Sequence, residues 1–70
     1  MRKRKASPKV VGERMKKLRG IRTRTGVARE LGVSYSLLSF YENGERSPSP
    51  ANQKKIADYY GVSEESIFYE

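Results

Sequence analysis

Cysteine and histidine are both absent from the sequence. Their absence excludes disulfide bonds, zinc sites that use thiolate or imidazole ligands, and catalysis by an imidazole base. No apolar run approaches the roughly 18 residues that span a bilayer, and the basic start MRKRK is followed by SPK instead of the apolar segment of a signal peptide. We therefore expect a soluble, cytoplasmic protein with no membrane contact, no cofactor and no metal.

An enzyme is also not indicated. Glu64 and Glu65 are adjacent carboxylates, but they follow Ser63 at a predicted helix start, where acids offset the positive end of the helix dipole. The sequence shows no set of nucleophile, base and orienting group. We expect no catalytic residues.

Positive charge is concentrated in the first half of this short chain. The 70 residues form one domain at most and carry a net charge of +7. Residues 1–34 carry +10, whereas residues 35–70 carry −3. Such an asymmetry favours a polyanionic partner. A core of this size rarely supplies more than roughly 3 to 5 kcal/mol of net stability, so most apolar side chains are expected to lie in it.

The first six residues, MRKRKA, have no apolar periodicity and no acid to pair with. We predict that residues 1–6 form a flexible basic arm that contacts phosphate. The alternative is a tail that only keeps the protein in solution.

The remaining residues, 7–70, predict a single all-α domain of five short helices and no strand. Each helix start has a serine or threonine that can accept a hydrogen bond from the free amides of the first turn, and glycines mark several helix ends. The predicted helices are helix 1 from Ser7-Pro8 to Gly20, helix 2 at about 24–31, helix 3 at about 35–42, helix 4 from Ser49-Pro50 to Gly61, and helix 5 after Ser63.

Helix 3 has two unlike faces. Leu37, Leu38 and Tyr41 fall on one side and are predicted to be core. The other side is neutral, since no Lys, Arg, Asp or Glu lies between Val33 and Tyr41 in a chain that is 33% charged. This suggests that the second face meets another surface. The alternative is that Tyr35 and Phe40 fold back into the core.

Helices 2 and 3 are separated by a very short turn. Ala28 and Gly32 lie four residues apart beside it, and small side chains are what allow two helices so joined to cross closely. The spacing indicates a helix-turn-helix.

The chain from Val11 to about Phe68 resembles the phage repressor and Cro-like (Xre-type) helix-turn-helix family. The resemblance is carried by VGERMKKLR, by VARELGVSYSLLSFYENGERSPS and by IADYYGVSEESIF. It implies a five-helix, lambda-repressor-like domain whose third helix lies in the major groove of double-stranded DNA, usually as a homodimer on a pseudo-palindromic operator. The function it implies is transcriptional repression at the nucleoid.

The resemblance also implies roles for individual residues. Tyr35, Ser36, Ser39 and Phe40 take the positions that face base edges. Arg24 takes the position of a glutamine that contacts the DNA backbone and braces the recognition helix, and Asn43, Glu45 and Arg46 form a loop that approaches phosphate. Arg19 and Glu42 match a structural ion pair.

Further cations could neutralise phosphates and so make binding salt-dependent. They are Arg14 and Arg22 near helices 1 and 2, and Arg2, Lys3, Arg4 and Lys5 in the arm. Because helix 3 has no Arg or Lys, the commonest guanine contact is not available to it. We predict thymine-methyl contacts from Phe40 or Tyr35, hydroxyl contacts from the serines, and guanine readout, if any, from Arg24 or the arm.

A second interpretation is a protein-interaction module of the same fold, antitoxin-like or regulatory. Its partner surface would be the acidic C-terminal third, which carries Tyr59, Tyr60, Phe68 and Tyr69.

Overall fold

The computed structural model describes residues 4–70. These residues form five α-helices, and the predicted all-α class is confirmed. The helices are α1 (Pro8–Arg19), α2 (Arg24–Leu31), α3 (Tyr35–Glu42), α4 (Pro50–Tyr60) and α5 (Glu64–Phe68). In the part of the chain so described, no helix is both long enough and apolar enough to cross a membrane.

Every helix begins in the same way. The residue before it is extended, and its hydroxyl oxygen accepts a hydrogen bond from the amide three residues later, which satisfies one free donor of the first turn. The pairs are Ser7 with Val10, Thr23 with Gly26, Ser34 with Leu37, Ser49 with Asn52, and Ser63 with Ser66. Each such cap contributes about 1 kcal/mol, which is a large share of the stability of so small a domain.

The core is built from one side of each helix. Met15 and Leu38 are fully buried at its centre, and Val27, Ile56 and Ile67 pack around them. Within α3, Leu38 is the central residue, while Leu37 is only half-buried at the edge of the core. The core face of α3 is therefore fixed, and its opposite face points away from the core.

Helix α1 crosses the last turn of α3 with almost no space between the backbones. A Cβ atom placed on Gly12 would lie 2.4 Å from the carbonyl oxygen of Glu42 and 2.7 Å from that of Tyr41. Only glycine fits at this position. The contact fixes the end of α3, and with it the Glu42 side chain, relative to α1.

Part of the expected arm is attached to the domain. The Ala6 amide donates to the carbonyl of Phe68 at 2.9 Å, and the Glu70 amide donates to the carbonyl of Arg4 at 2.8 Å, so that Lys5 lies opposite the end of α5 in an isolated antiparallel bridge. Residues 4–6 of the predicted flexible arm are thus joined to the C-terminal residues by backbone hydrogen bonds of Arg4 and Ala6. Residues 1–3 of the predicted arm lie outside the described residues.

Candidate nucleic-acid interface

The turn between α2 and α3 has a defined geometry. Gly32 ends α2 in the left-handed conformation at φ 76°, and the Val33 amide returns to the carbonyl of Ala28 at 3.0 Å. Ser34 then caps α3. Ala28 is buried where the helices meet, so the two elements form the closely crossed pair that the small residues predicted.

The outward face of α3 is exposed and partly apolar. Tyr35 is 53% exposed and Phe40 is 37% exposed. Beside them, Ser36 is exposed and Ser39 is half-buried. Within residues 4–70 the third large exposed apolar side chain is Ile21, in the loop between α1 and α2. Tyr35 and Phe40 therefore do not fold into the core, which was the alternative for this face.

A buried carboxylate holds α1, α2 and α3 together behind this face. Glu42 is 1% exposed and receives Nε of Arg19 at 2.9 Å and Nε of Arg24 at 2.8 Å. A carboxylate at the negative end of a helix, away from water, needs such positive partners. The structure thus contains the Arg19–Glu42 pair and adds Arg24 to it.

Arg24 also reaches toward the outward face of α3. Its Nη2 donates to Oδ1 of Asn43 at 3.3 Å, and its Nη1 lies 3.5 Å from Oγ of Ser39. The hydrogen bond to Glu42 is the main cause that raises the pKa of Arg24 above its ordinary value. The guanidinium therefore links the start of α2 to the outward face of α3, and it is a permanent cation because arginine is not deprotonated in proteins.

Arg46 lies against Phe40, also toward the C-terminal end of α3. Its guanidinium carbon is 5.4 Å from the centroid of the Phe40 ring. The amides of Glu45 and Arg46 both approach the carbonyl oxygen of Phe40, at 2.8 and 3.3 Å. The chain after α3 therefore turns back over Phe40, and this turn requires the positive φ of Gly44, 75°.

Two of the predicted phosphate-contacting cations are engaged elsewhere. Arg14 donates through Nη1 to the carbonyl of Tyr69 at 2.7 Å and to that of Ile67 at 3.1 Å, so it closes the end of α5. Arg22 donates to the hydroxyl of Tyr59 at 3.2 Å and lies over its ring.

The structure therefore brings only part of the predicted site together. The residues it places on or beside the outward face of α3 are Tyr35, Ser36, Ser39, Phe40, Asn43, Arg24 and Arg46. Arg4 and Lys5 pair with the C-terminal residues, and Arg2 and Lys3 lie outside the described residues.

Two structural features near the site were not predicted from the sequence. Arg24 and Glu42 are 18 residues apart, so no helical spacing connects them. Gly12 lies inside α1 with no turn to account for it. A glycine at an interior helix position, where it weakens the helix by about 1 kcal/mol, was the one hint that another backbone passes close by.

The aromatic residues of the C-terminal third are turned toward the core. Phe68 is buried, and Tyr59, Tyr60 and Tyr69 pack against the buried cluster. Tyr59 also donates a hydrogen bond to Glu30. Tyr59, Tyr60 and Tyr69 are half-buried, and none of them is among the large exposed apolar side chains of residues 4–70.

A close-crossing helix pair whose second helix exposes one face defines a helix-turn-helix domain. The model of the helix-turn-helix family HTH_3 matches residues 14–67. The chain belongs to this family, as the resemblance predicted, and the family makes it a DNA-binding regulator and not an enzyme.

The comparison with solved structures agrees on the fold. The chain is similar to the solution structure of the SOS-response transcriptional repressor LexA from Eubacterium rectale, with a TM-score of 0.81 and 17% sequence identity over 87% of this chain and 67% of that one. At this identity the likeness shows the fold alone. No curated protein sequence matches the chain.

Proposed function

We propose that the chain is a sequence-specific transcriptional repressor that binds a pseudo-palindromic operator as a homodimer, with α3 in the major groove. The observation that carries this proposal is the face of α3 itself. It is uncharged and exposes Tyr35 and Phe40, and arginines 24 and 46 flank it. A helix face that meets only water normally carries charged side chains, whereas neutral hydroxyl and aromatic groups suit contacts with base edges.

The proposed contacts divide into two kinds. The side chains of Tyr35, Ser36, Ser39 and Phe40 meet bases, where hydroxyls exchange hydrogen bonds and the Phe40 ring touches a thymine methyl. Asn43 and Arg46, at the end of α3, approach the DNA backbone. Such backbone contacts fix the register of the protein on the duplex without selecting a sequence.

Arg24 has two parts in this proposal. Its Nε is bound to Glu42, which braces α3 against α2. Its Nη atoms lie near Ser39 and Asn43, where they can donate to a phosphate or to guanine. Since α3 has neither Arg nor Lys, an arginine held beside it supplies the donor that it lacks.

The remaining cations supply affinity that does not depend on sequence. Arg22, Arg4 and Lys5 are exposed, and together with Arg2 and Lys3 they add positive charge that attracts the duplex from a distance. Arg14 is left out of this group because its guanidinium binds the end of α5. The repressor role rests on the resemblance to phage repressors, and the site of action would be the nucleoid in the cytoplasm.

Selection of binding sites from random duplexes tests the proposal. We expect an inverted repeat whose half-sites are centred about 10 base pairs or a multiple of that spacing apart, and sedimentation should give two chains per selected duplex. Failure to enrich any sequence would contradict sequence-specific binding, and one chain on a single half-site would contradict the dimer.

A variant pair links the selected sequence to α3. Ser36→Ala combined with Phe40→Ala should lower the preference for the selected site over random DNA. Lys54→Ala, at an exposed position of α4, serves as the control and should retain it. An unchanged preference in the double variant would show that α3 does not read the bases.

A further inference from the structure

Phe40 and Arg46 form a surface pair whose two members suit two different bases. We infer that Arg46, held against the Phe40 ring, reads a guanine close to the thymine that Phe40 contacts, so that the pair selects a thymine–guanine element within each half-site. This inference rests on the proposed function, because it assigns a sequence preference to the same face. It changes the role of Arg46 from a backbone contact to a base contact.

The structure holds Arg46 in place before any DNA is bound. The guanidinium lies 5.4 Å from the ring centroid, within the range of a cation–π contact. Hydrogen bonds from the amides of Glu45 and Arg46 to the carbonyl of Phe40 tie the start of the loop to the recognition helix. The arginine side chain therefore loses less freedom on binding than a free surface arginine would.

The chemistry of the pair matches guanine beside thymine. A guanidinium can donate two parallel hydrogen bonds to O6 and N7 of guanine, and an aromatic side chain packs on the methyl group of thymine. The five N–H donors of a guanidinium spread as a fork in one plane, so a contact with one ring leaves the donors that point away from it available to a base. Lysine has no such plane and would act as a point charge.

The guanidinium of Arg46 is also more available for hydrogen bonds to a nucleobase than that of Arg24. Arg24 is held by the buried carboxylate of Glu42, whereas Arg46 has no ion-pair partner within residues 4–70.

The distance between Arg46 and Phe40 indicates how far apart the two contacted bases lie. The guanidinium carbon and the ring centroid are 5.4 Å apart, which is less than two base steps of about 3.4 Å each, so we expect the two bases that they contact to be near neighbours.

Site selection with matched variants tests this inference. Arg46→Lys keeps the charge and removes the planar donors, and Arg46→Met removes both. Lys54→Met, on the exposed side of α4, removes the same charge away from the face and is the control. Thermal melts establish that each variant is folded before binding is measured.

We expect the wild-type protein to select thymine and guanine within two positions of one another. Arg46→Lys should lower the guanine preference by at least about fivefold, as expected when a bidentate hydrogen bond is removed, with affinity for random duplex nearly unchanged. Phe40→Leu should lower both the thymine and the guanine preference, because Arg46 loses its platform. Replacing the guanine by 7-deazaguanine should weaken the wild-type protein and leave Arg46→Lys almost unaffected.

Two results would overturn the inference. One is an Arg46→Lys variant that keeps the guanine preference, and the other is an Arg46→Met variant that weakens binding to all sequences equally, as a phosphate contact would. Both require that the wild-type protein enriches a sequence. If it enriches none, the proposed function itself fails, so the two failures are distinguishable.

Discussion

Glu42 is the residue through which the fold and the candidate interface are connected. Its carboxylate is buried at the end of α3, and Arg19 from α1 and Arg24 from α2 donate to it. The arginines are only partly buried, with side-chain exposures of 18% and 24%. If either arginine is replaced, the buried Glu42 carboxylate keeps one arginine partner. If Glu42 is replaced, the contacts that join α3 to Arg19 of α1 and to Arg24 of α2 are both lost.

We predict that Glu42→Gln lowers the free energy of unfolding by roughly 3 kcal/mol, since it leaves two arginines without their shared anion. Arg24→Met should cost less, because Glu42 keeps Arg19. Urea unfolding curves for both variants measure this order. Competition between selected and random duplexes, under conditions where Glu42→Gln is folded, should show the same base preference as the wild type. A changed preference with unchanged stability would assign Glu42 to base reading instead.

The buried hydroxyl of Tyr60 is expected to destabilise the folded protein. Its hydroxyl is buried with no hydrogen-bond partner among residues 4–70. Burial is the main cause that raises the pKa of Tyr60 from 10.0 to about 12. The folded protein thus keeps this proton at a pH where the unfolded chain has lost it.

Because the pKa of Tyr60 is higher in the folded protein than in the unfolded chain, stability is expected to fall as the pH rises. Below pH 10 the hydroxyl is protonated in both states, so its effect is constant. As the pH rises from about 10 to about 12, the unfolded chain releases the proton first and stability falls. Tyr60→Phe should lessen this fall and raise stability at pH 7 by about 1 kcal/mol, because it removes a buried hydroxyl without a partner. Urea unfolding at pH 7, 10 and 11 measures both effects, and a less stable Tyr60→Phe protein at pH 7 would mean that the hydroxyl is satisfied.

At the scale of elements, the crossing of α1 and α3 determines where the recognition helix lies. We predict that Gly12→Ala lowers stability by about 1 to 3 kcal/mol or more, because the added methyl group meets backbone carbonyls that cannot move independently. Gly26→Ala is the matched control within α2. There the new Cβ meets the Thr23 hydroxyl at 3.1 Å, and the gain in helix propensity offsets the contact.

Thermal and urea unfolding of the two alanine variants should therefore differ clearly. Gly26→Ala should remain within about 1 kcal/mol of the wild type. Equal stability of the two variants would mean that α1 can shift away from α3 at little cost. In that case the position of Glu42 would not depend on this crossing.

The segment before α1 is the element whose behaviour the sequence predicted least well. Residues 4–6 were expected to be free, yet they pair with the end of α5. Arg14 binds the same end of α5 from α1. Two sequence-distant pieces therefore fix the C-terminal residues, and composition alone gives no indication of such pairing.

For the whole molecule, the uneven charge predicts how binding responds to salt. Replacing Arg2, Lys3, Arg4 and Lys5 by glutamine keeps the backbone hydrogen bonds of residues 4–6 and removes four charges. We expect lower affinity for selected and random duplexes alike. The log–log salt slope should become shallower by up to about 0.9 for each phosphate that the arm no longer neutralises.

A control for the arm replaces Lys54 and Lys55 of α4 by glutamine, which removes two positive charges away from the arm, and the change in slope is compared per charge removed. Titrations at several salt concentrations compare the slopes of the two proteins. If the slope of the arm variant equals that of the wild type, the arm serves only to keep the protein in solution.

The helices and the two faces of α3 could be predicted from local features of the sequence. Serine and threonine caps, glycine ends and apolar periodicity are local signals, because they act between residues a few positions apart, and α2 and α3 form where these signals place them. The neutral face of α3 was also readable, since it depends only on which residue types recur at helical spacing.

Which arginines stabilise the fold and which lie at the candidate interface could be seen only in the folded protein. No local feature of the sequence distinguishes four of the arginines, yet each has a different partner in the structure. Arg14 binds the end of α5 and Arg22 binds Tyr59. Arg24 binds Glu42, and Arg46 lies against Phe40. The physical reason is that a long charged side chain pairs with whatever the fold brings within reach, and most of those partners lie far away along the chain. The close crossing of α1 and α3 at Gly12 likewise joins residues that are far apart in the sequence, so it could be recognised only from the folded structure.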